Sequence, residues 1–418
     1  MDNVYLLKDE LNIDSPFKEQ IISDYEEIKY ENVGLESYIL EKYNLDVSGK
    51  YGSLIIKNPF GKASGQLSSN ISQIRTDAFD GLGFVVIKTV ISQDEKAESS
   101  MEDWKVKAPK MVVEEIVSKR GEKGYTVTWK GRGWDKSFED YLGLVSESFD
   151  IYKETQMPVI PSVQYHLPAS SEKFKESEYE FTTKSLEKVW KDSKVDLPFT
   201  IEQDFSATLS GLKNSQEEIL RWLREVPKLI DKYIDTDNKI IGVKLFNPLY
   251  EDDFQVEMIK TLNHTDSKMV DTITCFNRLF DLDRVFEGKK EIAYGGYDLS
   301  DRNLKVLTKF IEEYKGEKFI PISGTGNINS GKMMVEYALR GATSGQLHTY
   351  FQIPSKNYKL EKGSRTKKAL HELMFNPTNG LVATMLSLKN TLGIGKEEVF
   401  KFLDISELHK KIELDKLK

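Results

Sequence analysis

Two glycine-rich strand ends near the C-terminus carry the clearest chemistry in this 418-residue sequence. Residues 318–351 include FIPISGTGNINSGKMMVEYALRGATSGQLHTYF, which reads as a buried strand at 319–323, a glycine turn, an amphipathic helix at about 330–339 and a second strand at 343–349. Strand ends side by side, one opening onto a helix N-terminus, form a cradle of backbone N–H groups in a favourable dipole. That is an anion site, and its usual occupant is a phosphate. Gly324 and Gly326 suit it because the backbone must approach the ligand and can need a positive φ. The stretch GNINSGKM also approaches the nucleoside-triphosphatase loop G-x4-G-K-S/T, but Met333 stands where a magnesium-binding hydroxyl is required. An ordinary βαβ turn with capping glycines is the remaining alternative.

Further reactive side chains stand where apolar runs stop. Lys88-Thr89 follow GLGFVVI, Tyr165-His166 end MPVIPSVQYH, and Asp204 and Ser206 lie in PFTIEQDFSATL. Lys244 sits in KIIGVKLFNP, and Asn277-Arg278 end VDTITCFNR. At the C-terminal end of a barrel strand, such residues face the active-site mouth. A lysine turned into a barrel interior is costly unless it is paired. Cys275 reads as a small buried hydrophobe.

The elements that must position these groups alternate short apolar strands with helices, the pattern of a parallel sheet with both faces covered. A chain of 418 residues accommodates a (β/α)8 barrel of roughly 250 residues with extensions. Residues 1–48 read as an acidic helical extension starting near Ser15-Pro16. Residues 100–130 read as a β-hairpin insertion, two β-rich runs flanking SKRGEKG. A first strand and glycine/serine turn are expected at 54–65, helices at 71–79, 183–193 and about 370–388, and a lysine-rich helical tail at 391–418.

A formal net charge of −8 argues against nucleic acid as a partner. The single cysteine excludes an intrachain disulfide and an iron–sulfur cluster bound by this chain alone, and no metal site is expected. No apolar run reaches the ~18 residues of a membrane span, so a cytoplasmic location is expected.

Taken in order, residues 50–390 resemble flavin-binding (β/α)8 barrels, specifically the dihydroorotate dehydrogenase family. Its phosphate end runs roughly IPIIGVGGI.TG.DA.E.L..GA..VQ.GTA. Residues 320–323, Gly324, Gly326, Gly331, Glu336, Gly341, Ala342, Gln346 and Thr349 match, while Asn327 and His348 replace glycines without removing main-chain donors. Asn58, Pro59, Ala63, Ser64 and Gly65 match the family's stretch beneath the flavin ring. KIIGVKL matches its lysine strand, and Tyr294-Gly295-Gly296 resembles its glycine pair before the next helix.

The resemblance implies FMN, held at its phosphate by Gly324, Thr325, Gly326, Asn327, His348 and Thr349, with Lys88 and Lys244 beside the ring and Ala63–Gly65 and Gly296 nearby. It implies Asn277 as a substrate contact and puts Lys130 where the family has a substrate-contacting asparagine; Lys130, Arg132, Lys136 and Arg278 make the substrate mouth more basic than the family pattern, and His166 joins them as a strand-end candidate. The family's proton-transferring cysteine or serine falls on Ala207, which cannot move a proton, so Ser206, Asp204, Thr208, Tyr165 or His166 must take over that role or the reaction is not dihydroorotate oxidation. The expectation is an FMN-dependent oxidoreductase acting on a CH–CH or C=C group of an acidic substrate other than dihydroorotate, and a homodimer. A true dihydroorotate dehydrogenase with a relocated base and a non-catalytic flavin-binding barrel acting as a binding subunit stand as alternatives.

Overall fold

The computed structural model describes residues 4–31, 33–102, 110–130, 133–205, 215–264, 269–281, 292–314 and 317–417, with backbone only at 110–111, 128–130, 280–281, 292–293 and 415. The chain folds as a (β/α)8 barrel. Its strands are Phe60–Lys62, Phe84–Val86 continued by Val90–Ile91, Val159–Ile160 continued by Ser162–Gln164, Phe199–Asp204, Lys239–Asn247, Thr272–Asp281, Ile322–Thr325 and Ala342–Leu347. Each pairs in parallel with the next. The eighth closes on the first through Gly345↔Phe60, Gln346↔Gly61 and Leu347↔Lys62. Closure removes the exposed sheet edges, and the strands are buried on both faces, as apolar runs such as FVV and the IIGV of Lys239–Asn247 require.

The helices cover the outside by ordinary amphipathic logic. Gln216–Lys232 buries Ile219, Trp222, Leu223, Val226 and Ile230, a three-and-four spacing. Phe138–Thr155 begins with a capping box in which Ser137 Oγ accepts from Asp140 N and Asp140 accepts from Ser137 N.

Several expected boundaries move. Helix Glu176–Ser193 starts seven residues before 183 because its first turns bury polar residues, which hides the apolar period. Glu178 there accepts from Ser100 N, Ser100 Oγ and Ser92 Oγ. The segment 54–65 divides in two. Leu54–Ile56 pairs antiparallel with Gly49–Tyr51 in a hairpin across the barrel floor, and only Phe60–Lys62 joins the barrel. Tyr51 reaches in to donate to Glu202 Oε2 at 2.9 Å. The helix expected at 370–388 is two, Arg365–Phe375 and Leu381–Thr391, since Pro377 cannot continue the first. The tail is not one helix; Phe400–Lys401 forms a short parallel pair with Leu45–Asp46 and short helical turns follow.

The N-terminal extension is helical at Ser15–Glu26 and Leu35–Tyr43. Its start is strapped to the barrel by a buried ion pair. Glu336 accepts from Leu6 N and Leu7 N, while Arg340 donates to Val4 O and to Glu336. Glu336 therefore has a structural partner here and does not reach the mouth.

Candidate functional site

The C-terminal mouth of the barrel holds a cavity of about 290 Å³, close to the low end for small-molecule sites. Most of the candidate residues meet there, although they come from different strands. The first strand brings Ala63, Ser64 and Gly65, the second Lys88 and Thr89, the fourth Asp204 and the fifth Lys244. The sixth brings Asn277 and Arg278, the seventh Thr325, Gly326 and Asn327, and the eighth Gln346, His348 and Thr349.

The glycine cradle is built by turning carbonyls away from the cavity. Tyr337 donates its hydroxyl to Thr325 O at 3.0 Å and Gly326 O at 2.8 Å. Asn303 Nδ2 donates to Thr325 O at 2.8 Å and to Phe276 O at 3.0 Å, and its own oxygen accepts from Asn247 Nδ2. With φ of 105° at Gly326 and 52° at Asn327, the loop curls into the left-handed region. Among the described residues, the N–H groups of Gly326, Asn327, Ile328 and Thr349 meet no protein acceptor, which is what an anion-binding nest requires.

Two expectations about the cradle change. Gly324 is not a lining residue; a Cβ there would stand 2.8 Å from the Tyr337 ring, so its smallness serves strand–helix packing. The helix Gly331–Ala338 spends its leading amides on the scaffold, Lys332 N on Asn379 O and Met333 N on Ser330 Oγ. The exposed donors are therefore those of the loop and of the eighth strand end.

Buried charge enters the cavity from the second, fourth and fifth strands. Lys244 is 3% exposed, and its Nζ lies 3.4 Å from Asp204 Oδ2. Asp204 Oδ2 also accepts from Thr89 Oγ1 at 3.0 Å, and Thr89 Oγ1 is 2.7 Å from Ser64 Oγ. Below them Glu202 Oε2 accepts from Tyr51, Thr274 and Gln346. Burial raises the Glu202 pKa, and the Lys244 charge opposes that rise. Lys88 sits 3.8 Å from Asp135, and burial lowers its pKa.

His348 is enclosed between Gly65 and Gln352; a Cβ on Gly65 would stand 2.5 Å from its ring. Burial first, then the positive charges of Arg278, Lys62 and Lys244, depress its pKa from 6.5 to about 3. The ring is therefore neutral at physiological pH and adds no charge to the cradle. A folded-state pKa below the unfolded one means that the unfolded chain takes up the proton first as pH falls. Stability attributable to this site is full above pH 6.5 and declines below it, by about 1.4 kcal/mol per pH unit while only the unfolded chain is protonated. Urea unfolding of the wild type and of His348→Gln should show the stability difference shrinking steadily from pH 7 to pH 4. A difference constant with pH contradicts the assignment.

The structure adds residues that the linear pattern did not single out. The hairpin Lys110–Val117/Lys123–Lys130 lies over the mouth and contributes Lys123, Tyr125 and Thr126 to the cavity. It is latched where Thr126 Oγ1 accepts from Gly295 N at 2.8 Å and Tyr125 OH accepts from Asn357 Nδ2 at 2.6 Å. Gly296, by contrast, lines the cavity as its place in the family pattern led one to expect, at φ 76°. Asn303, Tyr337 and Asn247 hold carbonyls in place, a task with no sequence signature.

Among the expected substrate residues, His166 falls outside the cavity. Its Nδ1 accepts from Lys175 N at 3.2 Å, just before helix Glu176–Ser193, which is a capping role. Ser206, Ala207, Thr208, Arg132 and the side chain of Lys130 lie outside the described residues. No protein-family model and no curated protein matches this chain. Among the described residues, no helix is long and apolar enough to cross a membrane.

Proposed function

We propose that the chain binds FMN at the barrel mouth and acts as an FMN-dependent oxidoreductase on a CH–CH or C=C group, as its resemblance to dihydroorotate dehydrogenases implies. The observation that carries the reading is a buried ammonium, Lys244, sharing one cavity with a nest of unpaired amides on the seventh and eighth strand ends. The residues present fit such a ligand. The nest suits a phosphate, and the buried Gln346 Oε1, which meets no donor among the described residues, offers an acceptor in the same cavity.

FMN would supply hydride acceptance and donation. The chain's own groups bind and orient. Loop amides of Gly326, Asn327 and Thr349 would hold the phosphate, and Lys244 would face negative charge developing on the ring, electrostatic stabilisation by a preorganised cation. Lys88, with Ser64 and Gly65, would border the reacting face, while Asn277 and Arg278 would meet the substrate. Lys88, Lys123 and Arg278 around the cavity favour an acidic substrate. A cytoplasmic homodimer belongs to the same reading.

The visible spectrum of the purified chain, before and after adding FMN, tests the reading. The expected result is a bound-flavin spectrum and release of FMN on denaturation; a colourless protein that takes up no FMN refutes it. Dihydroorotate is expected to leave the bound flavin oxidised. Once a substrate is in hand, Arg278→Ala should raise KM several-fold, and an unchanged KM removes the acidic-substrate assignment.

A further inference from the structure

We propose that Ser64, Thr89 and Asp204 form a proton relay that serves the reacting face of this cavity, with Asp204 as the terminal acceptor. The inference rests on the flavin reading above and concerns how the site moves the proton that accompanies hydride transfer.

The three groups come from three neighbourhoods of the barrel. Ser64 follows the first strand, Thr89 lies between the two pieces of the second, and Asp204 ends the fourth. All three line the cavity, yet each is at most 9% exposed. Thr89 Oγ1 is the hub, 2.7 Å from Ser64 Oγ, 3.0 Å from Ser162 Oγ and 3.0 Å from Asp204 Oδ2.

Hydrogen-bond chemistry fixes the direction. An ionised carboxylate only accepts, and a hydroxyl has one proton to give. Thr89 therefore donates to Asp204, and Ser64 must donate to Thr89. The proton of Ser64 points into the wall, so its lone pairs are what it can offer to the cavity. Lys244, 3.4 Å from the same Asp204 oxygen, supplies the counter-charge that keeps a buried carboxylate tolerable. Hydroxyls strung between a cavity and such a carboxylate, linked at ordinary hydrogen-bond distances, form a path on which a proton can move without any heavy atom moving far.

In the oxidative direction, a C–H bond of the substrate beside the hydride-donating carbon gives its proton to Ser64 Oγ. The Ser64 proton passes to Thr89 Oγ1, and the Thr89 proton passes to Asp204 Oδ2, which becomes a neutral carboxylic acid. The electron pair of the broken C–H bond becomes the second bond of the C=C as the neighbouring carbon gives up its hydride, for which the flavin of the reading above would be the acceptor. In the reductive direction the same atoms deliver one proton from Asp204 to carbon. Ser64, which lines the cavity, would be the catalytic group in contact with the substrate, and Thr89 and Asp204 would act through it.

The experiment uses the full chain loaded with FMN, reduced anaerobically with dithionite and mixed with three activated alkenes, fumarate, 2-cyclohexenone and N-ethylmaleimide. Reoxidation is followed at the visible flavin band in H2O and D2O. The best of the three should reoxidise the wild type with a solvent isotope effect. Ser64→Ala, Thr89→Val and Asp204→Asn should each bind FMN yet slow that step by about 10²-fold, the lower range for general acid–base groups, and Thr89→Ser should recover most of the rate. Equal rates in all variants, or FMN uptake with no alkene reoxidising the wild type, overturns the relay alone. Absence of FMN uptake by the wild type sinks the flavin reading and the relay with it. A second readout is independent of turnover: the infrared difference between wild type and Asp204→Asn should show an ionised carboxyl at pH 7, and a protonated one overturns the relay.

Discussion

If FMN binds as proposed, replacing Lys244 by methionine should lower its midpoint potential by several tens of millivolts. Thirty millivolts corresponds to about 1.4 kcal/mol for a two-electron couple, and a buried ammonium aimed at developing negative charge is worth at least that. The ammonium is 3% exposed, so solvent cannot screen it in the wild type or replace it in the variant. The same substitution strips a cation from two buried carboxyls. Asp204 loses the partner at 3.4 Å, and Glu202 loses the charge that opposes its raised pKa. Removing one member of a buried ion pair typically costs about 3–5 kcal/mol, so the midpoint of urea unfolding should also fall. Both shifts are measurable without knowing the substrate, one by dye-coupled redox titration and the other by circular dichroism. A potential within a few millivolts of wild type would place Lys244 away from any flavin.

Gly326→Ala should abolish the proposed FMN binding at micromolar concentrations while leaving a folded barrel. The residue has a φ of 105°, which a side chain disfavours, and a Cβ would stand 2.6 Å from Asn303 Nδ2. Asn303 is the group that holds the Thr325 carbonyl and links it to Phe276 O. Pushing Asn303 aside frees the loop's carbonyls to turn toward the cavity, where they repel a phosphate. Loss of a few well-aimed amide donors to an anion, at about 1.5–3 kcal/mol each, amounts to at least 10²-fold in affinity. Titration of FMN into the variant, followed by flavin fluorescence, checks this. Wild-type affinity would mean that the cradle holds something other than the phosphate of the cofactor.

Much of the architecture could be read along the chain because it follows from local periodicity. Apolar runs such as GFVVI, broken by turn residues and alternating with three-and-four helical spacing, point to a parallel sheet with both faces covered; that this sheet closes into a barrel is what the family resemblance implied. Helix Ile71–Phe79 falls at its expected bounds, with Asn70 capping it through Gln73 N. Where helices bury polar residues, as with Glu178, or end at Pro377, the apolar signal misplaces the boundary or merges two elements.

The cavity-lining groups at strand ends were also legible, since the direction of a barrel strand decides which end its last residues occupy. That rule puts Lys88, Asp204, Lys244, Asn277 and Thr325 at one mouth from residue order alone. It cannot tell which of them touch. The Lys244–Asp204 pair joins residues 40 apart, and the Thr89–Asp204 bond spans 115. Nor does it separate His166, drawn off to cap a helix, from its neighbours that face the cavity. The hairpin's position over the mouth depends on contacts such as Gly295 to Thr126, 169 residues apart. Local sequence thus determined which elements form and which ends of them are reactive, because backbone propensity and apolar spacing act over a few residues. Only the closed barrel decided which buried charges share a partner, because that follows from tilt, register and packing summed over the whole ring.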